Sequence, residues 1–243
     1  MIKTNIELAK AAESVAKNQK TLYVLGCFGA PMNSSNKARW IKEQSFNAKS
    51  ERKAKIQAAS ADTFGFDCGG LIKSLLWGWT GDASKQYGGA KYQNNGVPDI
   101  GANAMLNACE DISTDFSNIM PGEAVWISGH IGVYIGNGLA VECTHRWKDG
   151  VQITAVHNIG TKAGYNGRVW TKHGKLPFVE YVVENVQNTT EPAQKPSTPA
   201  QITLDQAVEV LARAVIKGDF GNGAERKEKL YRTVQNKVNE LCK

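Results

Sequence analysis

At 243 residues, with 42% apolar and 21% charged side chains, the chain suits one sizeable globular domain and a smaller one, and is not composed like a disordered protein. Its net charge of +6 favours polyanionic partners such as nucleic acid, acidic lipid or an anionic cell wall, but no Lys/Arg cluster or basic–aromatic stripe marks a nucleic-acid interface. No apolar run reaches the length of about 18 residues that spans a bilayer, so no membrane insertion is expected.

The N-terminus, Met1 to Lys10, lacks the apolar core of a signal peptide. Five cysteines (Cys27, Cys68, Cys109, Cys143, Cys242) are odd in number and scattered. Without an export signal, reduced thiols are expected. The absence of any C-x-x-C or H-x-x-x-H spacing argues against a zinc site.

Residues from Thr4 to Asn18 read as a surface helix, with Ile6, Ala9, Ala12 and Val15 at a helical period. Thr21 to Gly29 is a short apolar run ended by glycines, either lining a site or ending a buried strand. Residues 31–62 are polar and basic and contain a helix ending near Ala61. Next, Gly65-Phe66-Asp67-Cys68-Gly69-Gly70 opens an apolar run in which Leu71 and Leu75, and Ile72 and Leu76, repeat at i, i+4. Cys68 is therefore placed at a helix N-terminus, where unpaired N–H groups favour a thiolate. The same cysteine also fits a buried, inert thiol.

Residues 80–101 form a Gly-rich loop, a candidate substrate wall. Residues 102–112 read as a short helix with Cys109 in the core. A strand series follows from Pro121, in which Ile131, Val133 and Ile135 alternate with His130, Gly132 and Tyr134. Asn137-Gly138 marks a hairpin. Helices followed by antiparallel strands give the α+β class.

Hairpin register decides the partner of His130. A two-residue turn sets His130 opposite His145 and turns Glu142 to the other face. A three-residue turn with a bulge at Gly138 sets Glu142 opposite Gly132, on the His130 face. Gly132 would then leave open space between His130 and Glu142. His145, His157 and His173 read as surface or structural residues.

Residues 186–202 hold three prolines in polar surroundings, a semi-extended linker between a domain at 1–185 and a small one at 203–243. Leu204, Val208, Leu211 and Val215 make one helical stripe. Gly218 to Gly223 breaks it, and Tyr231, Val234, Val238 and Leu241 make another.

Tyr23-Val-Leu-Gly26, Gly65 to Leu71 and Gly129-His-Ile-Gly-Val-Tyr-Ile-Gly-Asn-Gly138 together resemble the NlpC-type papain-like cysteine peptidases, over residues 5–182. The resemblance implies papain-like N-terminal helices packed on an antiparallel sheet and cleavage of an amide bond in peptidoglycan stem peptides. It implies Cys68 as nucleophile, His130 as base and Glu142, twelve positions on, as the third member, which favours the three-residue turn. It also implies substrate or oxyanion contact by Tyr23 and stem binding by Asp67. Gly69 stands where the family usually has a serine that helps hold a free stem amine. A glutamate as third residue is similar to the related CHAP amidases and endopeptidases, which keeps cleavage between sugar and L-alanine open.

Val215 to Leu230, with Val234 to Leu241, resembles the three-helix cell-wall-binding repeat of some phage lysozymes, shortened at Tyr231-Arg232. That resemblance implies muropeptide binding through Phe220, Asn222 and Arg226. Jointly the two resemblances imply a phage endolysin that needs no cofactor, acts on bacterial peptidoglycan and reaches the wall from the host cytoplasm during lysis. The competing expectations are a catalytically inactive wall-binding protein and a basic nucleic-acid-associated protein.

Overall fold

The computed structural model describes residues 2–183, 211, 215 and 223–241. The chain divides into two compact units, Met1–Val186 and Gln187–Lys243. The first is a mixed α+β domain in which a curled, mostly antiparallel sheet packs against helices.

Helix α1 (Asn5–Asn18) starts with a capping box: the Thr4 hydroxyl accepts from the Glu7 N–H, and the Glu7 carboxylate accepts from the Thr4 N–H. Its buried stripe runs through Leu8, Ala9, Ala12 and Val15. Ile6, expected in the stripe, is only half-buried, because the face is rotated to bury Asn5. The Asn5 amide is used there, donating to the Pro121 carbonyl at 2.8 Å and accepting from the Val182 N–H at 2.9 Å.

The apolar run after α1 becomes β1 (Thr21–Tyr23) and β2 (Phe28–Pro31). Both flank β3 (Phe64–Phe66), β1 in parallel and β2 antiparallel. Between β2 and β3 the single expected helix is three: α2 (Ser34–Glu43), α3 (Ser45–Ala48) and α4 (Ser50–Ala58). The breaks fall at Gln44 and Lys49, and between them Asn47 of α3 is fully buried, donating to the Trp40 carbonyl near the end of α2 and to the Leu25 carbonyl of the β1–β2 connection. The bond to Trp40 satisfies a carbonyl that a continuous helix would have paired internally.

Strand β3 runs straight into α5 (Cys68–Leu76), whose residues from Gly69 to Leu76 are all buried. A helix buried on every side belongs inside a domain, and α5 contacts α1, α6, β2, β6 and β7. Lys73 is buried on it and pairs with Asp99 of the following loop. Short helix α6 (Ala102–Asn107) gives way to β4 (Glu110–Ser113), so the helix expected over 102–112 ends early. Cys109 is in the core as expected, donating to the Met105 carbonyl at 3.3 Å.

The main sheet has the order β4-β10-β5-β6-β7-β8-β9, with β5 (Ala124–Ile127), β6 (His130–Gly136), β7 (Leu139–Thr144), β8 (Gly150–Val156), β9 (Gly167–Arg168) and β10 (Lys172–Lys175). All its pairings are antiparallel except β8 with β9. In the β6–β7 hairpin Gly132 is opposite Glu142. The Asn137-Gly138 turn itself has two residues, with φ of 53° and 72°. The extra residue sits earlier, where the register shifts between Tyr134 and Gly136. The bulge is therefore in β6, not at Gly138, and it has the same effect on which face Glu142 occupies.

In the second unit α7 (Gly223–Leu241) runs unbroken through Tyr231-Arg232, where the sequence reading placed a shortened connection between helices. No Gly or Pro interrupts residues 224–241, and Glu228 and Arg232 pair at i, i+4. Of the expected first helix of the bundle only Leu211 and Val215 are described, both helical and half-buried; the rest of it and the Gly218 break lie outside the described residues.

Candidate functional site

The structure gathers Tyr23, Cys68, His130 and Glu142 around the junction of the small sheet, α5 and the β6–β7 hairpin. Tyr23 ends β1, paired with Phe66, the residue before Asp67. Asp67 is the N-cap of α5: one carboxylate oxygen accepts from the Gly70 N–H and the other from the Gly26 N–H at 2.7 Å. Both oxygens are thus committed to holding the helix start against the β1–β2 connection. Gly70 is needed there, since a Cβ would fall 2.1 Å from the Cys27 carbonyl oxygen, whereas one at Gly69 would find its nearest neighbour at 3.8 Å.

Cys68 is the first residue of α5, as the pattern of apolar residues implied, with the N–H groups of Ile131, Gly69 and Cys68 itself beside its sulfur. The expected thiolate is not the favoured form. Burial, and then the Asp67 carboxylate, push the thiol up to about 12, outweighing the three N–H groups. Burial, with Cys68 and Asp67 next, pushes the Tyr23 phenol up as well. The ligand-free thiol should therefore react slowly at neutral pH. Its iodoacetamide rate is expected to climb steadily from pH 7 to about pH 10, as thiolate reactivity requires. A plateau below pH 8 would instead reveal a preformed thiolate–imidazolium pair.

His130 starts β6 after a tight turn from Ile127, and Asn103 of α6 holds that turn by accepting from the Gly129 N–H at 2.8 Å and the Trp126 indole at 3.1 Å. The imidazole Nε2 lies 2.7 Å from Glu142 Oε2. Glu142 is fully buried and tightly held. Thr154 Oγ1 donates to Oε1 at 2.8 Å, and Arg168 donates from Nε to both oxygens and from its terminal nitrogen to Oε2 at 2.6 Å. Burial raises the Glu142 carboxyl, but the bonds from His130 and Arg168 win and hold it below its ordinary 4.5.

The imidazole also stacks on Trp170, ring centres 5.6 Å apart and planes at 9°. The space expected to stay open at Gly132 is taken: a Cβ there would meet the Val141 carbonyl at 2.8 Å and the Trp170 ring at 3.3 Å. Thr154, Arg168 and Trp170 had no signature in the sequence. Arg168 sits in a two-residue strand and Trp170 just beyond it, and both reach the site only through pairing with β8.

The other candidates separate cleanly. His145 is exposed, 5.3 Å ring to ring from Tyr23 and 5.4 Å from Phe46, and takes no part in the His130 hydrogen bond. His173 is buried between Glu123 and the Asp115 carbonyl, a structural role. His157 is exposed. Cys27 is fully buried, and that burial pushes its thiol up to about 12. Cys143 donates to the Phe66 carbonyl at 3.2 Å.

A cleft of about 390 Å³ is lined by Tyr23, Gly129, His130, Thr144, His145, Arg146 and Arg168; Tyr23 and His130 of this group reach it, while Cys68 and Glu142 are not in its lining. A larger one of about 500 Å³ lies near Phe116 and Ile159, with no cysteine or histidine in its lining. Among the described residues, no group of three His, Cys, Asp or Glu side chains could hold a metal ion, and no helix is long and apolar enough to cross a membrane.

The model of the CW_7 repeat family matches residues 209–242, so the C-terminal unit carries a cell-wall-binding repeat. Arg226 falls within the match on α7, half-buried. Phe220 and Asn222 fall within it too, but outside the described residues. No curated protein matches the chain.

Proposed function

We propose that the chain is a peptidoglycan hydrolase of the endolysin kind, in which an NlpC-like, papain-like N-terminal domain cleaves an amide bond of the stem peptide. The C-terminal repeat would keep it on bacterial wall after release from the host cytoplasm. The observation that carries this reading is the buried Glu142–His130 hydrogen bond beside a cysteine at a helix start. A cysteine nucleophile needs a base within reach and a third group to orient that base, and the wall-binding repeat supports a substrate in the cell wall.

In the proposed reaction His130 takes the Cys68 proton as sulfur attacks the scissile carbonyl carbon. The C–S bond forms, the carbonyl π pair moves to oxygen, and the N–H groups at the start of α5, with Tyr23, face the oxyanion. Collapse of the tetrahedral intermediate breaks the C–N bond, and His130 returns its proton to the departing amine. Water, deprotonated by His130, then attacks the thioester. The acid is released, and the sulfur takes back the proton. Glu142 holds the proton on Nε2, leaving Nδ1 to do the base work.

A glutamate as third member also suits a CHAP-type amidase acting between sugar and L-alanine. Mass spectrometry of fragments released from purified wall decides between the bonds. New amino ends within the stem are expected. A free L-alanine amino end would move the reading to the amidase, and no new amino ends would leave an inactive wall-binding protein.

A further inference from the structure

The wall of the cleft formed by the β7–β8 connection, residues 145–149, is built rather than loose. Gln152, 6% exposed, reaches into the connection and donates from its side-chain amide to the carbonyls of Arg146, at 3.0 Å, and Lys148, while its carbonyl accepts from the Lys148 N–H. Thr144 Oγ1 accepts from the Arg146 N–H at 3.2 Å. These bonds hold Trp147 at φ +58°, a left-handed conformation that a bulky residue adopts only when its surroundings impose it. Trp147 in turn lies between two guanidinium groups, Arg146 at 4.7 Å and Arg168 at 5.0 Å from its ring centre.

Charge in this wall is one-sided. Asp149, the one acid in the connection, is turned away to Arg52 and Lys55 of α4. Arg168 is spent on Glu142. Arg146 and His145 line the cleft beside His130 and have no carboxylate partner among the described residues. Among the described residues, no acidic side chain lines the cleft.

We infer that Arg146, steadied on Trp147, binds an ionised carboxylate of the substrate next to the scissile amide, so that the site selects stem peptides whose carboxylate is free over those in which it is amidated. The inference rests on the hydrolase reading for the identity of the substrate. A stem peptide offers two such groups, the α-carboxylate left by a γ-linked glutamate and the C-terminal carboxylate. A guanidinium fork recognises either one.

The test uses the full chain and N-acetylmuramoyl-L-alanyl-γ-D-glutamyl-L-lysyl-D-alanine in three forms: both carboxylates free, only the glutamyl one amidated, and only the terminal one amidated. Wild type is expected to show a KM about tenfold higher for one amidated form, with kcat within about twofold. Arg146→Gln should lose that discrimination, and Lys148→Gln, in the same connection but outside the cleft, should keep it. Whichever amidated form is penalised names the carboxylate that is read. Equal KM for all three forms with wild type, or discrimination that survives in Arg146→Gln, overturns the inference and leaves the hydrolase standing. Binding of the same peptides to Cys68→Ala separates the two readings. Discrimination in Kd without any cleavage by wild type supports the carboxylate site and removes the hydrolase, and neither binding nor cleavage removes both.

Discussion

Glu142→Gln should lower turnover by about four orders of magnitude, the scale seen when the carboxylate of a catalytic triad becomes an amide. An amide can offer its NH₂ to His130 Nε2, which moves the imidazole proton to Nδ1, where a base is needed. The same substitution strands Arg168, a 9%-exposed guanidinium whose carboxylate partner is Glu142. Removing one partner of a buried pair costs about 3–5 kcal/mol, so the unfolding midpoint should fall as well. The double replacement Glu142→Leu/Arg168→Met separates the two effects: it should recover most of the stability and none of the activity. It should also flatten the acid limb of stability. The Glu142 carboxyl is held below 4.5 in the fold, so its contribution is full above that value and is lost as pH falls through the folded value. A Glu142→Gln protein that kept more than about a tenth of wild-type turnover would remove the triad from the account.

Gly70→Ala should unfold or nearly unfold the domain, while Gly69→Ser should leave it intact. A Cβ at Gly70 would lie 2.1 Å from the Cys27 carbonyl oxygen and 2.8 Å from Asp67 Oδ1. The first obstacle is backbone, so relief requires α5 to move off the β1–β2 connection. That movement breaks the Asp67 N–H bond to the Cys27 carbonyl and the Gly26 N–H bond to the Asp67 carboxylate. Overpacking against yielding side chains costs about 1–3 kcal/mol, and this contact should cost at least the upper figure. A Cβ at Gly69 meets nothing closer than 3.8 Å, and serine there gains helix propensity worth about 0.5 kcal/mol. Urea midpoints at unchanged slope measure both. Equal stability of the two variants would mean that α5 is not seated as described.

The contrast between these two glycines shows what local pattern can and cannot reveal. The i, i+4 leucines and isoleucines placed α5, and Asn137-Gly138 with its alternating flanks placed the β6–β7 hairpin, because both signals are local. Hairpin faces depend on a single residue of register. The residue that decides it, a bulge between Tyr134 and Gly136, carries no signal that separates it from the two-residue turn next to it. Strand β10, Lys-His-Gly-Lys, has no apolar alternation and exists because β4 and β5 flank it. Arg168 and Trp170 were invisible for the same reason: their partners, Glu142 and His130, are 26 and 40 positions away in the chain. The preference of Cys68 for the neutral thiol was also out of reach, since burial and the Asp67 carboxylate oppose the helix start. The division of residues 34–58 into three helices had no local signal in that polar, basic run, and the burial of Asn47 between them uses the Leu25 carbonyl, 22 positions away in the chain.

The proposed function rests on Cys68 as the nucleophile of wall cleavage. The most direct measurement is the release of new amino groups from purified peptidoglycan by wild type and by Cys68→Ala, with folding of both checked by their unfolding midpoints. Steady release by wild type is expected, with a rate lower by at least about 10³-fold for Cys68→Ala, as for loss of a catalytic nucleophile. Equal rates from the two folded proteins would remove Cys68 from the chemistry.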